Sequence, residues 1–229
     1  MAEGQDRLRV DMHLHTARSF DCLSDPVAVV ETALARGLDR ICVTDHNHLS
    51  TALALHERYP DRVIAGEEVK TAEGVDVIGL FLTEHIPAGT GAEETCRRIH
   101  AQGGIVYVPH PFAPGKGGDG RVLEVIEEHV DALEGFNARL HVQALNDRAV
   151  AWAAGRRVPL GAGSDAHTLR EVGRAYVEVP PFEMTADSFL EALRSGSVRG
   201  RFSSWAVHAA STWAKARKRL PGAPNGEVR

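Results

Sequence analysis

Cysteine is scarce and scattered. Cys22, Cys42 and Cys96 are the three cysteines among 229 residues, and none stands in a CxxC spacing. An odd, dispersed set argues against a disulfide framework and fits a reducing compartment. Each reads as a small buried hydrophobe, with Cys22 next to Asp21, itself a candidate site residue. A basic excess is also missing: Lys and Arg number 26 against 31 Asp and Glu, a formal charge of −5. That balance argues against a nucleic-acid scaffold. No apolar run approaches the roughly 18 residues that span a bilayer. Met1 to Arg9 is polar and charged and does not read as a secretory signal. Neither an internal repeat nor a linker divides the chain. These absences leave a single cytoplasmic domain over residues 1–220, with a tail over 221–229 expected to be disordered.

What is present is alternation. Leu8 to His15 reads as a strand, with Leu8, Val10, Met12 and Leu14 on one face and Asp11, His13 and His15 on the other. Ser24-Asp25-Pro26 starts a helix with a capping side chain and a first-turn proline, and Gly37 ends it. Arg40 to His46 is a strand, Leu49 to Arg58 a helix, and Arg62 to Lys70 a strand. Ala72-Glu73-Gly74 signals a hairpin to Val75–Leu82. The second half continues with a helix to Ala101, the strand Ile105 to His110, a Gly-rich loop Pro111 to Gly120, and a helix from Arg121. Val130 to Asn137, Leu160 to His167 and Ala175 to Val179 read as strands, with helices at Ala144 to Ala154 and Met184 to Arg194. A last helix, Phe202 to Arg219, carries Trp205, Ala209, Trp213 and Ala216 on one stripe and a basic last turn that suits the helix dipole. Regular βα alternation predicts an α/β fold, mostly parallel strands covered by outer helices, with chemistry at the carboxyl ends of the strands.

Those ends are where the 12 histidines become informative. His13 and His15 close the first strand, Asp45 and His46 the second; Glu67 and Glu68 lie in the third; His110 closes a fourth, and Asp165 and His167 a fifth. Residues at i and i+2 share a strand face, so His13 points with His15, and Asp165 with His167. Taken singly, a histidine at a strand end is most often a hydrogen-bonded surface or core group, and Asp45 could cap the next helix. Taken together, five strands ending this way crowd ionisable groups onto one rim, which is costly unless bound cations pair them. Neutral imidazole and carboxylate suit Zn, Mn or Fe(II) better than Mg. His56, His85, His100, His129 and His208 read as structural or surface residues; His48 and His141 are intermediate.

The ordered series Asp11-Met12-His13-Leu14-His15, Thr44-Asp45-His46, Gly66-Glu67-Glu68, Pro109-His110-Pro111 and Gly163-Ser164-Asp165-Ala166-His167 resembles the PHP (polymerase and histidinol phosphatase) superfamily over about Val10 to Val179. The resemblance implies a distorted (β/α)7 barrel, TIM-barrel-like, holding two or three divalent metals (Zn, Mn or Fe). It implies that His13, His15, Glu68 and Asp165 hold one ion, that Glu68 bridges to a second shared with His110, and that His46, His167 and Asp21 serve a third. Where many members carry a further histidine, this chain has Asn137, with His141 four residues on. Either His141 substitutes, or that site is weaker and the cluster is dinuclear; Asn137 and Arg139 read as substrate-contacting groups.

A metal acidifies bound water, so hydroxide can attack phosphorus without a protein nucleophile. Lys70, Lys116, Arg139 and Arg174 are candidate partners for phosphate oxygens. His46 or His167 could protonate the leaving group. The reading that follows is a phosphomonoesterase acting on a small phosphorylated metabolite or nucleotide. Two alternatives stand beside it: a phosphodiesterase or exonuclease, and a non-catalytic metal-binding module. The acidic net charge favours a small substrate over nucleic acid, and no membrane partner is expected.

Overall fold

The structure is a computed structural model, and it describes residues 7–114 and 120–228. Its elements follow the expected order. They are β1 (Leu8–Leu14), α1 (Pro26–Ala35), β2 (Arg40–His46), α2 (Ser50–Arg58), β3 (Val63–Lys70), β4 (Asp76–Leu80), α3 (Ala92–Ala101), β5 (Ile105–Val108), α4 (Arg121–Ile126), β6 (Ala132–Asn137), α5 (Gln143–Ala154), β7 (Leu160–Gly163), β8 (Ala175–Val179), α6 (Ala186–Arg194), β9 (Ser197–Gly200) and α7 (Ala206–Lys218). The cap read at α1 is present: the Asp25 carboxylate accepts from the Ala28 N–H at 3.0 Å, Pro26 opens the helix, and Gly37 leaves it at φ 77°. No helix among the described residues is long and apolar enough to cross a membrane.

The nine strands among the described residues belong to one sheet, in the order β7-β6-β5-β4-β3-β2-β1-β8-β9. It curls into a nearly closed barrel, because the segment after β7 returns to β1. There the Asp165 N–H donates to the His13 carbonyl at 2.7 Å, and the His15 N–H to the Ala166 carbonyl at 2.9 Å. Pairings β1–β2, β2–β3, β5–β6 and β6–β7 are parallel; β3–β4, β4–β5, β1–β8 and β8–β9 are antiparallel. The distortion of the barrel lies in these antiparallel insertions. One is the expected hairpin, with Gly74 at φ 78°. Another is β9, a strand outside the expected set: Ser197–Gly200 is too short and too polar to show a period of its own and is held by β8.

Val10, Met12, Cys42, Ile64, Ile78, Tyr107 and Val177 fill the barrel interior, and Phe182 and Phe189 from the α6 region pack against them. A second apolar layer joins the outer strand faces to the helices through Leu14, Val29, Val43, Leu55 and Val63. The strict alternation expected from Leu8 to His15 breaks here. The β1–β2 register shifts between Asp11 and Leu14. Before the shift Val10 and Met12 face the interior; after it Leu14 joins the outer layer while His13 and His15 turn to the rim. A one-residue irregularity flips the side-chain phase of a strand, and this one keeps both an apolar floor and two imidazoles on the inside.

The stripe expected on α7 is not its packed face. Trp205 and Trp213 are 70% and 63% exposed, while Ser211 and Ala214 are buried. The helix lies across the mouth of the barrel above polar groups, where small side chains fit and indoles do not. The tail expected to be disordered is described to residue 228 and folds back: the Thr51 hydroxyl donates to the Gly226 carbonyl at 2.7 Å, and Val228 packs on the outer apolar layer.

Candidate metal centre

Eight side chains meet at the carboxyl end of the barrel, and each arrives from a strand end or the loop after it. Glu68 is central. Its Oε2 lies 2.9 Å from His46 Nδ1, 3.4 Å from His13 Nε2 and 3.4 Å from His15 Nε2; its Oε1 lies 3.1 Å from His110 Nε2. Asp165 Oδ1 is 3.4 Å from His15 Nε2 and 3.4 Å from His167 Nδ1. Asp21 Oδ1 sits 3.2 Å from His167 Nε2 and 3.6 Å from His46 Nε2. All but His46 are buried. His110 and Asp165 take left-handed backbone at φ 30° and 50°, unusual for non-glycine residues and found where a site is held against local preference.

Neighbouring groups aim the imidazoles. Glu134 Oε1 meets His13 Nδ1 at 3.1 Å, which leaves His13 Nε2 facing the centre. His15 Nδ1 lies 3.2 Å from the Ser19 hydroxyl, which donates to Asp45 at 2.6 Å; Ser19 can then only accept from His15, so His15 Nε2 keeps its lone pair for the centre. His167 Nδ1 is 2.8 Å from the Asp165 carbonyl and 2.6 Å from an Arg139 nitrogen. One nitrogen cannot donate to the first and accept from the second. Donation to the carbonyl leaves Nε2 open beside Asp21, and Arg139 remains held by Glu171 at 3.1 Å and the Ser211 hydroxyl at 2.7 Å.

The electrostatics follow from crowding under burial. Burial opposes ionisation of Glu68, but His46 and His13 outweigh it and hold the carboxyl well below the usual range. Burial likewise works against the charge on Asp21, and His167, His46 and His15 outweigh it, so its pKa is depressed. His15 is pushed the other way, first by burial and then by His167 and His46, and stays neutral. A neutral imidazole beside ionised carboxylates is the donor set of a transition-metal site.

Two atoms test whether divalent ions fit. Glu68 Oε2 and Asp21 Oδ1 are buried and accept no hydrogen bond, although imidazole nitrogens surround both. Unsatisfied buried carboxylate oxygens are costly unless a cation completes them. Four groups of donor atoms lie mutually within 4.8 Å: His15, His46 and His167; His13, His15 and Glu68; His13, His110 and Asp165; and Glu68, Asp76 and His110. The residues fit a multinuclear centre.

The candidates drawn from the sequence sort clearly. His13, His15, Asp21, His46, Glu68, His110, Asp165 and His167 are brought together. A cavity of about 380 Å³ opens above them, and Lys70 and Arg139 line it, though Lys70 is paired with Asp76 at 2.9 Å. Asn137 is buried beneath, donating to Glu134 at 2.9 Å and lying 3.4 Å from Asp165, so it supports ligands and does not face the cavity. His141 is elsewhere, stacked on Trp205 at 4.1 Å, because its residue turns outward at φ 54°. Arg174 lines a different cavity on the outer wall. Lys116 lies outside the described residues.

Three contributors escaped the sequence reading. Asp76 pairs in register with Lys70, two residues past Glu68, so the expected hairpin plus period-two alternation already placed it on the ligand face. Glu134 and Lys215 carried no such signal. Glu134 reaches His13 across the barrel, and Lys215, read as a helix-end charge, lines the cavity because α7 returns over the mouth.

Comparison with known proteins agrees with this arrangement. A model of the PHP domain matches residues 11–108, and a model described as PHP-associated matches residues 143–198. An uncharacterised protein of Methanocaldococcus jannaschii is 31% identical over 198 residues, covering 82% of this chain and 79% of its own. Two solved structures share the fold. A candidate metal-dependent phosphoesterase from Bifidobacterium adolescentis gives a TM-score of 0.59 at 17% identity, over 80% of this chain and 95% of that one. The lesion-specific endonuclease Q of Pyrococcus furiosus gives 0.62 at 18% identity, over 84% of this chain and 57% of that one. Matches that take in both the ligand-bearing first half and the β7–β8 region, on a chain whose strand ends converge as described, place it in the PHP family of metal-dependent phosphoester hydrolases.

Proposed function

We propose that the chain is a phosphomonoesterase for a small phosphorylated metabolite or nucleotide. The observation that carries the reading is the form of the site: a buried ligand cluster at the floor of a cavity of about 380 Å³, with α7 across its mouth. That volume suits a small ligand. His208, Ser211, Thr212 and Lys215 of α7 line the cavity with Phe20, an arrangement that favours a small ester over a polymer.

His13, His15, Glu68 and Asp165 would hold one ion; Glu68, His110 and Asp76 a second; His46, His167 and Asp21 a third. Divalent ions there lower the pKa of water and offset charge on phosphate oxygens. The chain's own groups do the rest. Arg139 and Lys215 place positive charge beside the entering ester, and Lys70 adds a third cation whose charge Asp76 partly offsets. Phe20 and the α7 face limit water. Of the two imidazoles that could pass a proton to the leaving oxygen, His46 is the part-exposed one, and His167 is buried between Asp21 and Asp165.

Turnover of p-nitrophenyl phosphate and of its bis ester by protein reconstituted with Mn²⁺ or Zn²⁺ tests the reading. Faster monoester turnover is expected. Preference for the bis ester would transfer the chain to the phosphodiesterase alternative, and inactivity toward both at full metal occupancy would leave only a metal-binding module.

A further inference from the structure

A cavity of about 620 Å³ lies on the outer wall of the barrel and shares no lining residue with the cavity at the metal centre. Its lining is dominated by one residue type. Arg9 comes from β1, Arg36 from the end of α1, Arg170 and Arg174 from the β7–β8 connection, and Arg199 and Arg201 from β9 and just beyond. The chain carries a net negative charge, so this gathering is local and not a reflection of overall composition.

The charges are poorly offset. Glu178 takes Arg199 at 2.9 Å and Arg9 at 3.6 Å. Arg36 spends one nitrogen on the Val172 carbonyl at 2.6 Å. Among the described residues, the side chains of Arg170, Arg174 and Arg201 have neither a carboxylate nor a carbonyl partner. Arg174 and Arg201 are fixed side by side, since the Arg201 N–H donates to the Arg174 carbonyl at 2.9 Å. Arg36 registers the crowding: burial, then Arg174 and Arg201, lower its pKa. Holding like charges around one concavity disfavours the empty state unless an anion enters.

We propose that this cavity binds a small polyphosphorylated anion. Guanidinium forks match phosphate oxygens two at a time, and the six arginines include no lysine substitute. One phosphate has three non-bridging oxygens, which two or three forks saturate; the four forks that Glu178 does not hold, those of Arg36, Arg170, Arg174 and Arg201, exceed that number and call for an adjoining phosphate. The volume falls in the range of small-molecule sites, and Tyr176 on the wall, with Arg9 5.6 Å from its ring centroid, adds an aromatic face. A concavity confined to one wall favours a discrete ligand over a nucleic-acid backbone, which needs a continuous track.

Isothermal titration of the metal-loaded full chain with inorganic tripolyphosphate tests this, using Arg170→Gln/Arg201→Gln as the variant. Both side chains are exposed and partnerless, so the variant keeps the fold, checked by Tm, and p-nitrophenyl phosphate turnover. Binding by the wild type and a loss of about tenfold or more in the variant are expected. Equal affinity in both proteins places tripolyphosphate at the metals and overturns the proposal, as does no binding by the wild type. Tighter binding of a single-stranded oligonucleotide, lost in the same variant, overturns it in favour of nucleic acid. The single variant Arg201→Gln, expected to weaken binding by a smaller factor, serves if the double variant is unstable.

Discussion

Within the site the decisive contrast is between neighbours that differ only in phase. Glu68 sits at the centre of the ligands, while Glu67 points away and accepts from the Ile86 N–H at 2.6 Å and His85 Nδ1 at 2.7 Å. Glu134 acts through another residue: it orients His13 and accepts from the His110 N–H at 2.7 Å. Glu134→Gln is expected to weaken metal affinity about 10–100-fold with the fold retained, measured by metal titration; unchanged affinity would sink the orienting role. Asp11 binds the backbone N–H groups of Ser164 and Gly173 at 2.9 and 3.1 Å, and burial raises its pKa to about 6 from 3.8. A raised carboxyl favours the folded state while protonated. Its contribution is therefore full below pH 3.8 and lost as pH rises through about 6. In metal-free protein, the stability of wild type relative to Asp11→Asn should fall by about 3 kcal/mol in all from well below pH 3.8 to well above pH 6. Denaturant melts across the window check it, and a flat difference contradicts it.

Two elements set the site's shape. β7 passes so close to β1 that a Cβ on Gly163 would collide with the His13 Cβ and with Glu134 Oε1. Gly163→Ala should cost about 1–3 kcal/mol by overpacking and lower metal content along with Tm; a variant with wild-type Tm and metal load would show the contact to be soft. α7 closes the mouth, with Lys215 3.8 Å from Asp21 and 5.1 Å from the Phe20 ring centroid. Lys215→Ala should raise KM for a phosphomonoester several-fold while kcat changes less, because a mouth cation serves binding more than the chemical step. A fall in kcat at constant KM would assign Lys215 to the reaction itself.

For the molecule as a whole, the donor cluster would be a stability element once ions fill it. Carboxylates and imidazoles at five strand ends sit at one end of the barrel, so ions that bind only the folded chain stabilise it by mass action, about 2.7 kcal/mol at a free concentration 100 times Kd. Chelation should therefore lower Tm by several degrees, and Mn²⁺ or Zn²⁺ should restore it. An unmoved Tm would mean that the cluster holds no ion, and would remove the basis of the proposed function with it.

Much of this was legible before any fold. The β/α alternation, the Asp25-Pro26 cap, the β3–β4 hairpin and the types of ligand at the strand ends are local properties, written in neighbouring residues, and they survived folding with boundaries shifted by a few positions. What the sequence could not decide depends on which distant segments become neighbours. The phase slip in β1 arises from its register with β2. Glu134 finds His13 only because β6 and β1 face each other across the closed barrel, and Lys215 enters the site only because α7 doubles back. Arg174 belongs to the outer arginine cavity because β8 and β9 build a wall there. Chain chemistry is local, but proximity is fixed by packing and closure, and those are properties of the whole barrel.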